Sequence, residues 1–351
     1  MDFTSTIINW YNKNKRDLPW RSTKDPYYIW LSEVILQQTR VDQGMAYYFA
    51  FIREFPTIKK LAAAPEEKVM KLWQGLGYYS RARNLHATAK FIAVELKGNF
   101  PKTHDEIIKL KGIGPYTAAA IASIAFEQPH AVVDGNVYRV LARVFGVKTP
   151  IDSTKAKKEF YELANELLDK KRPALFNQAI MEFGAMYCKP KNPDCSNCIF
   201  NGTCIAYAKK LVDVLPLKEK KTKVRDRYFN YIVLRHKNKL IIKKRTEKDI
   251  WKNLYDFPLI ETNTELKESA LLKTSEWKNI IGKNKFNIRS VSKTHKHVLS
   301  HQNIYARFWE VEMNTALTKS KELLIIDKKD FGSFAIPRLV DIYMNNKHPE
   351  L

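Results

Sequence analysis

The chain has 351 residues, 45% hydrophobic and 28% charged, with a formal net charge of +23. That length exceeds one ordinary core and predicts two domains, while the composition excludes a disordered or collagen-like chain. The basic surplus points to a polyanionic partner, nucleic acid ahead of a membrane surface; there is no run of about 18 apolar residues, and Met1-Asp2-Phe3-Thr4 lacks the start of a secretion signal, so a cytoplasmic protein is expected.

Residues 1–208 read as successive helices, over 3–15, 27–39, 41–53, 57–63, 66–72, 80–97, 103–110, 116–125, 136–145, 154–168 and 173–186, because apolar positions recur at helical spacing. Pro56, Pro65, Pro101 and Pro173 stand at breaks, and Thr103 and Ser153 or Thr154 are candidate caps. The first domain is therefore expected to be all-α over 1–208. Residues 209–226 carry seven basic and three acidic side chains with little helical period, and read as a basic linker. From 227 to 351 the pattern changes to mixed α and β, with strands over 228–234, 240–244 and 304–311 and a turn at Lys237-Asn238-Lys239. Residues 1–208 hold 29 basic and 20 acidic side chains and 209–351 hold 31 and 17, so both halves suit DNA.

All four cysteines fall in one stretch, Cys188-x6-Cys195-x2-Cys198-x5-Cys204, around Pro190, Pro193 and Gly202. In a reducing compartment four thiolates within 17 residues suggest a bound inorganic centre rather than disulfides. A structural zinc site uses the same ligand but commonly pairs two short Cys-x2–4-Cys units, and one such unit is present, so the spacing favours iron–sulfur.

Leu110-Lys111-Gly112-Ile113-Gly114-Pro115-Tyr116-Thr117 joins two expected helices through a Gly-x-Gly turn. Positive φ at the glycines would expose backbone N–H groups, and Pro115 would open a helix whose N-terminal dipole favours a phosphate. An ordinary tight turn between packed helices has the same pattern.

Paired carboxylates suit cleavage of a glycosidic bond, which needs a proton for the departing group and negative charge beside an oxocarbenium-like sugar. Glu33 lies within apolar Ile29–Leu36, where desolvation would raise its pKa; the alternative is a glutamate on an exposed stripe. Asp134 opens the helix that follows Ala131-Val132-Val133, where the dipole favours its ionised form; the alternative is a plain N-cap. Opposed pKa environments would suit an acid and anion pair.

Two longer stretches carry a resemblance: Trp30-Leu31-Ser32-Glu33-Val34-Ile35-Leu36-Gln37-Gln38-Thr39-Arg40-Val41 and Val133-Asp134-Gly135-Asn136-Val137-x-Arg139-Val140-Leu141-x-Arg143. With the hairpin and the cysteine loop they resemble the adenine DNA glycosylase (MutY) family of the helix-hairpin-helix, endonuclease III superfamily. The resemblance implies removal of adenine mispaired with 8-oxoguanine or guanine in double-stranded DNA, by a monomer, at the nucleoid if the source is bacterial. It assigns adenine protonation to Glu33, oxocarbenium stabilisation to Asp134, the sugar pocket to Tyr116, and phosphate contacts to Gly112 and Gly114. A [4Fe-4S] cluster on Cys188, Cys195, Cys198 and Cys204 is implied, structural or DNA-sensing rather than catalytic. Endonuclease III has a lysine at the hairpin position held here by Tyr116, so strand cleavage through a Schiff base should be weak or absent. Lys111 precedes the turn.

A flipped base leaves a gap that side chains must fill. Gln37-Gln38 and Gly75-Leu76-Gly77-Tyr78-Tyr79-Ser80-Arg81-Ala82-Arg83 suit that need, and the resemblance places Gln38, Leu76 and Tyr78 beside the opposite base. Arg81 and Arg83 read as phosphate contacts or as solvated side chains. Trp251-Lys-Asn-Leu-Tyr-Asp-Phe-Pro258 and His297-Val298-Leu299-Ser300-His301 resemble the family's Nudix-like domain, in which Ser300 and His301 would recognise 8-oxoguanine; a polar turn before a strand is the other reading. Leu299 stands where the family commonly has phenylalanine, which alters the stacking expected there. No Gly-x5-Glu-x7-Arg-Glu-x2-Glu-Glu motif is present, so nucleotide hydrolysis is not expected. Two other readings are a bifunctional pyrimidine-lesion glycosylase and a non-catalytic iron–sulfur DNA-binding protein.

Overall fold

The computed structural model describes residues 2–219, 224–315 and 323–347. Backbone contacts sort the chain into two units, Met1–Ala63 with Asn84–Lys220 and Ala64–Arg83 with Lys221–Leu351. Residues 64–83, expected from sequence in the helical half, group by their backbone contacts with the sheet-bearing half. Residues 209–219 do not form a free tether either: Leu211 N donates to Ala206 O at 2.7 Å, Ile151 N to Leu217 O at 3.0 Å, and Leu215 is buried. Its apolar side chains anchor this stretch despite its charge. Residues 220–223 of the expected linker lie outside the described residues.

The first unit is helical. Asp25 caps Pro26–Leu36, Ser153 caps Thr154–Leu167, and Thr103 forms a reciprocal capping box with Glu106. Expected helix 103–110 shrinks to His104–Ile107, and expected helix 27–39 stops at Leu36, with Gln38 left-handed at φ 55°. Helix Pro115–Phe126 has buried residues all round, from Thr117 to Ile124, and is a central strut of this unit. Tyr11, Trp30, Phe51, Phe160, Phe176 and Phe183 fill the core.

The second unit is built on a mixed sheet. Its strands are β1 (Arg225–His236), β2 (Lys239–Lys244), β3 (Tyr255–Asp256), β4 (Leu259–Thr262), β5 (Phe286–Val291), β6 (His295–Leu299), β7 (Gln302–Met313) and β8 (Leu323–Asp327). The main path runs β3-β2-β1-β7-β5; β4 pairs with β1, β6 with β7 and β8 with β2. Strands β1 and β7 are parallel, from Arg225 opposite Gln302 to Arg235 opposite Glu312. Buried on both faces, β1 shows a continuous buried run over 229–234, apolar except for Asn230, rather than alternation. On one face Ile232, Leu234, Trp309 and Val311 pack with Leu271, Trp277 and Ile281. On the other, Tyr231, Phe308 and Tyr343 form a stack with centroids 5.0 and 3.8 Å apart, covered by helix Arg338–Lys347. Expected strand 228–234 extends to β1 and includes 225 and 226 of the supposed linker, while β3, β4, β5, β6 and β8 were not anticipated. No helix among the described residues is long and apolar enough to cross a membrane.

Candidate active site

Helix Pro26–Leu36 buries nearly every side chain, including Glu33, which is 9% exposed. The exposed-stripe alternative therefore fails. Removal from water pushes the Glu33 carboxyl up to about 7; a Tyr116 hydrogen bond and the Arg21 charge oppose the rise, and the Asp134 charge adds to it.

The hairpin supplies Tyr116. Gly112 has φ 81°, and a Cβ there would lie 2.6 Å from the Asn84 Cβ, so both backbone sign and packing require glycine. Gly114 does not share the expected positive φ: it caps helix Pro115–Phe126 in extended conformation at φ −97°, with open space where a Cβ would stand. The Tyr116 hydroxyl lies 3.3 Å from Met181 Sδ and also within reach of the Glu33 carboxyl. Burial raises its pKa well above the usual phenol range, so it remains a proton donor.

Asp134 is an N-cap and also faces the cavity, so the two readings of this residue are compatible. Its Oδ1 accepts from Asn136 N at 2.9 Å and Val137 N at 2.8 Å, and its Oδ2 from Asn136 Nδ2 at 2.8 Å. These donors favour the anion, but burial outweighs them and raises its pKa. The opposed shifts expected for the two acids are therefore not found. What separates them is hydrogen bonding, which holds Asp134 in a dense set of donors and leaves Glu33 in a mainly apolar setting.

Glu33, Tyr116 and Asp134 line one cavity of about 560 Å³, together with Gln37, Gln38 and Asn136. Arg16, Arg21 and Glu182 form another, charged wall of this cavity that no local motif marks. Glu182, buried on helix Pro173–Met186, receives Arg16 N and Nε at 2.9 Å, Arg16 Nη2 at 2.7 Å and Arg21 Nη2 at 2.7 Å. Those arginines hold Glu182 down at about 2 although burial opposes them. A glutamate alone in an apolar helix was the same signal that exposed Glu33; its arginines, 161 and 166 positions away, gave none.

The four cysteines line a second, small cavity with Arg143, Phe183, Tyr187 and Phe200. Arg143 fastens this loop by donating to the carbonyls of Lys189 at 2.7 Å, Pro190 at 3.1 Å and Leu215 at 3.1 Å. Burial raises the thiols of Cys195, Cys198 and Cys204, Cys198 to about 11, so these three would need a cationic centre beside them to stand as thiolates. Among the described residues no three His, Cys, Asp or Glu side chains converge as ligands to one ion.

In the second unit the loop Gly75–Tyr79 carries Leu76 and Tyr78, with Gly75, Gly77 and Tyr78 at φ 97°, 71° and 46°. Tyr78 Oη lies 2.7 Å from Ser300 Oγ, joining two sites read separately from the sequence. Ser300 and His301 are the exposed turn between β6 and β7. Arg81 is neither solvated nor free for phosphate: it is 9% exposed, stacked 5.1 Å over Trp73 and 5.7 Å over Tyr78. Arg83 donates to Lys252 O at 2.9 Å.

Residues 31–166 match the family described as HhH-GPD superfamily base excision DNA repair protein, and residues 230–346 match a NUDIX domain. A solved thermostable thymine-DNA glycosylase superposes with TM-score 0.55 and 32% sequence identity, covering 59% of this chain and 95% of that one. The fold and cavity thus define a helix-hairpin-helix base-excision DNA glycosylase with a Nudix domain. The chain is 38% identical over 307 residues to adenine DNA glycosylase of Buchnera aphidicola subsp. Schizaphis graminum, spanning 87% of this chain and 84% of that protein. It is 45% identical over 213 residues to the Homo sapiens adenine DNA glycosylase, spanning 58% of this chain and 39% of that one. The chain belongs to the adenine DNA glycosylase family.

Proposed function

We propose that this chain hydrolyses the N-glycosidic bond of adenine mispaired with 8-oxoguanine or guanine in duplex DNA, without a strong strand-cleaving step. The observation that carries the reading is the shared cavity of Glu33, Tyr116 and Asp134, with the Glu33 carboxyl raised to about 7. At neutral pH a large fraction of Glu33 is the neutral acid, able to give its proton to a ring nitrogen of the flipped adenine. The bonding pair then leaves with the base, and the cationic sugar faces the Asp134 carboxylate, held in place by its three hydrogen bonds. Water adds to the sugar carbon and gives a proton to the Glu33 carboxylate, which restores the acid. Tyr116 packs against the sugar.

No lysine lines the cavity among the described residues, which supports hydrolysis over Schiff-base cleavage. Gly112 and Gly114 present the hairpin backbone to a phosphate, and Gln38, Leu76 and Tyr78 flank the base opposite adenine, with Ser300 and His301 recognising its oxidised edge. Cys188, Cys195, Cys198 and Cys204 would hold a [4Fe-4S] cluster, which when bound supplies the positive charge that lets four half-buried thiolates coexist and so stabilises the loop. The test is a duplex with one adenine opposite 8-oxoguanine. Adenine release with strand breakage only after alkali is expected; breakage without alkali, with a borohydride-trapped protein–DNA adduct, would replace hydrolysis by the bifunctional reading.

A further inference from the structure

Gln74 lies between helix Glu66–Leu72 and the loop Gly75–Tyr79. Its Oε1 accepts from Lys71 Nζ at 3.1 Å and from Ile336 N at 3.3 Å, and its Nε2 donates to Asp341 Oδ1 at 3.4 Å. Lys71 Nζ also donates to Phe334 O at 3.1 Å. Asp341 stands on helix Arg338–Lys347, where Arg338 pairs with its other oxygen. On the far side of the loop, Arg83 reaches Lys252 O at 2.9 Å. A single glutamine side chain thus ties the root of the loop to the last helix of the sheet unit.

The loop needs such a tie. Three of its five residues have positive φ, and at Tyr78 that conformation is unfavourable for an L side chain. It is braced from within by Trp73 Nε1 donating to Gly77 O at 3.0 Å, Leu76 N to Trp73 O at 3.1 Å and Gly75 N to Tyr79 Oη at 3.4 Å, and by Arg81 Nη2 donating to Leu76 O at 3.4 Å; the Gln74 side chain adds the connection to the last helix. A strained loop keeps one shape only when its surroundings over-determine it.

We infer that Gln74, acting with Asp341, is a positioning residue for recognition of the opposite base, holding Gly75–Tyr79 in the shape that presents the exposed Tyr78 beside Leu76, which is itself buried in the free protein. This rests on the reading of Leu76 and Tyr78 given under Proposed function. Discrimination is then governed partly by hydrogen bonds on the side of the loop remote from its reading groups.

The test uses the full chain carrying Gln74→Ala, Asp341→Ala, or the exchange Gln74→Glu with Asp341→Asn, which reverses donor and acceptor and keeps the bond. Single-turnover adenine release is followed against enzyme concentration on duplexes with adenine opposite 8-oxoguanine and opposite guanine. Each single variant is expected to lower the ratio of the two apparent affinities about 3- to 10-fold, the worth of one or two hydrogen bonds, with the saturating rate unchanged. The exchange should restore the ratio. An unchanged ratio in the single variants overturns the inference. So does an equal loss on both duplexes that the exchange does not rescue, which would mark a purely structural contact. Tyr78→Ala, made at an exposed side chain, separates the two layers: if it lowers the ratio while the Gln74 variants do not, the loop reading stands and the coupling fails. If it too leaves the ratio unchanged, the loop reading falls and takes the coupling with it.

Discussion

Asn136 Nδ2 donates to Asp134 Oδ2 at 2.8 Å while Asn136 Oδ1 accepts from Arg139 Nη2 at 2.8 Å. Arg139 is itself fixed by the carbonyls of Gly184 at 2.6 Å and Cys188 at 2.7 Å. The carboxylate proposed to face the cationic sugar is therefore aimed by an amide that cannot turn freely. Asn136→Ala removes a hydrogen bond to a charged group and should slow single-turnover adenine release roughly 10- to 100-fold. A rate within twofold of the unaltered protein would show that the backbone cap alone orients Asp134.

Glu33→Gln should lower base release by roughly 10²- to 10⁴-fold while duplex binding persists. The same substitution should alter stability in a pH-dependent way. A carboxyl whose folded value is about 7 against an ordinary 4.5 binds more protons in the native than in the unfolded state between those values. Its contribution is thus fully present below 4.5 and is lost as pH rises through 7, by about 3 kcal/mol in all. Glutamine does not ionise, so the variant should melt above the unaltered protein at about pH 8 and close to it at about pH 5. Equal melting temperatures at both pH values would contradict the buried, neutral acid.

Glu182 shifts in the other direction. Held near 2 by Arg16 and Arg21, it adds stability that is present above the ordinary value of 4.5 and is lost as pH falls through 2. Glu182→Gln leaves two guanidiniums without their anion beside the cavity and should cost about 3 to 5 kcal/mol in denaturant unfolding at neutral pH. A loss below about 1 kcal/mol would mean that water replaces the carboxylate there.

Cys198→Ser should abolish iron binding and its visible absorbance, and chelation of the intact protein should release the loop that Arg143 fastens. Limited proteolysis near residues 188–204 reads that release. Full iron content in Cys198→Ser would remove this cysteine from the ligand set.

Features with a local signature could be read from the sequence. The cysteine spacing, Glu33 inside an apolar helix, Asp134 before Gly135-Asn136 and the Pro115 helix start each announce themselves within about ten residues. Features that depend on distant partners could not. Arg16 and Arg21 acquire meaning only through Glu182, and the pairing of Tyr78 with Ser300 spans 222 positions. The helix expected to reach Thr39 ends at Leu36 because Gln38 turns left-handed, which glutamine does not advertise. Likewise 64–83 looked like one more helical segment; its contacts with the sheet unit pass through Gln74, Lys71 and Arg83, polar side chains that fit any surface. Short edge strands such as β3 and β8 carried too few residues for alternation to register.

The proton held by Glu33 is most directly tested by the single-turnover rate of adenine release opposite 8-oxoguanine, followed from about pH 5 to about pH 9. The structure predicts a rate that declines with an apparent pKa near 7 as the carboxyl ionises, and a Glu33→Gln variant with no such limb. A rate that stays level or rises through neutrality would show that the neutral form of Glu33 is not the proton source.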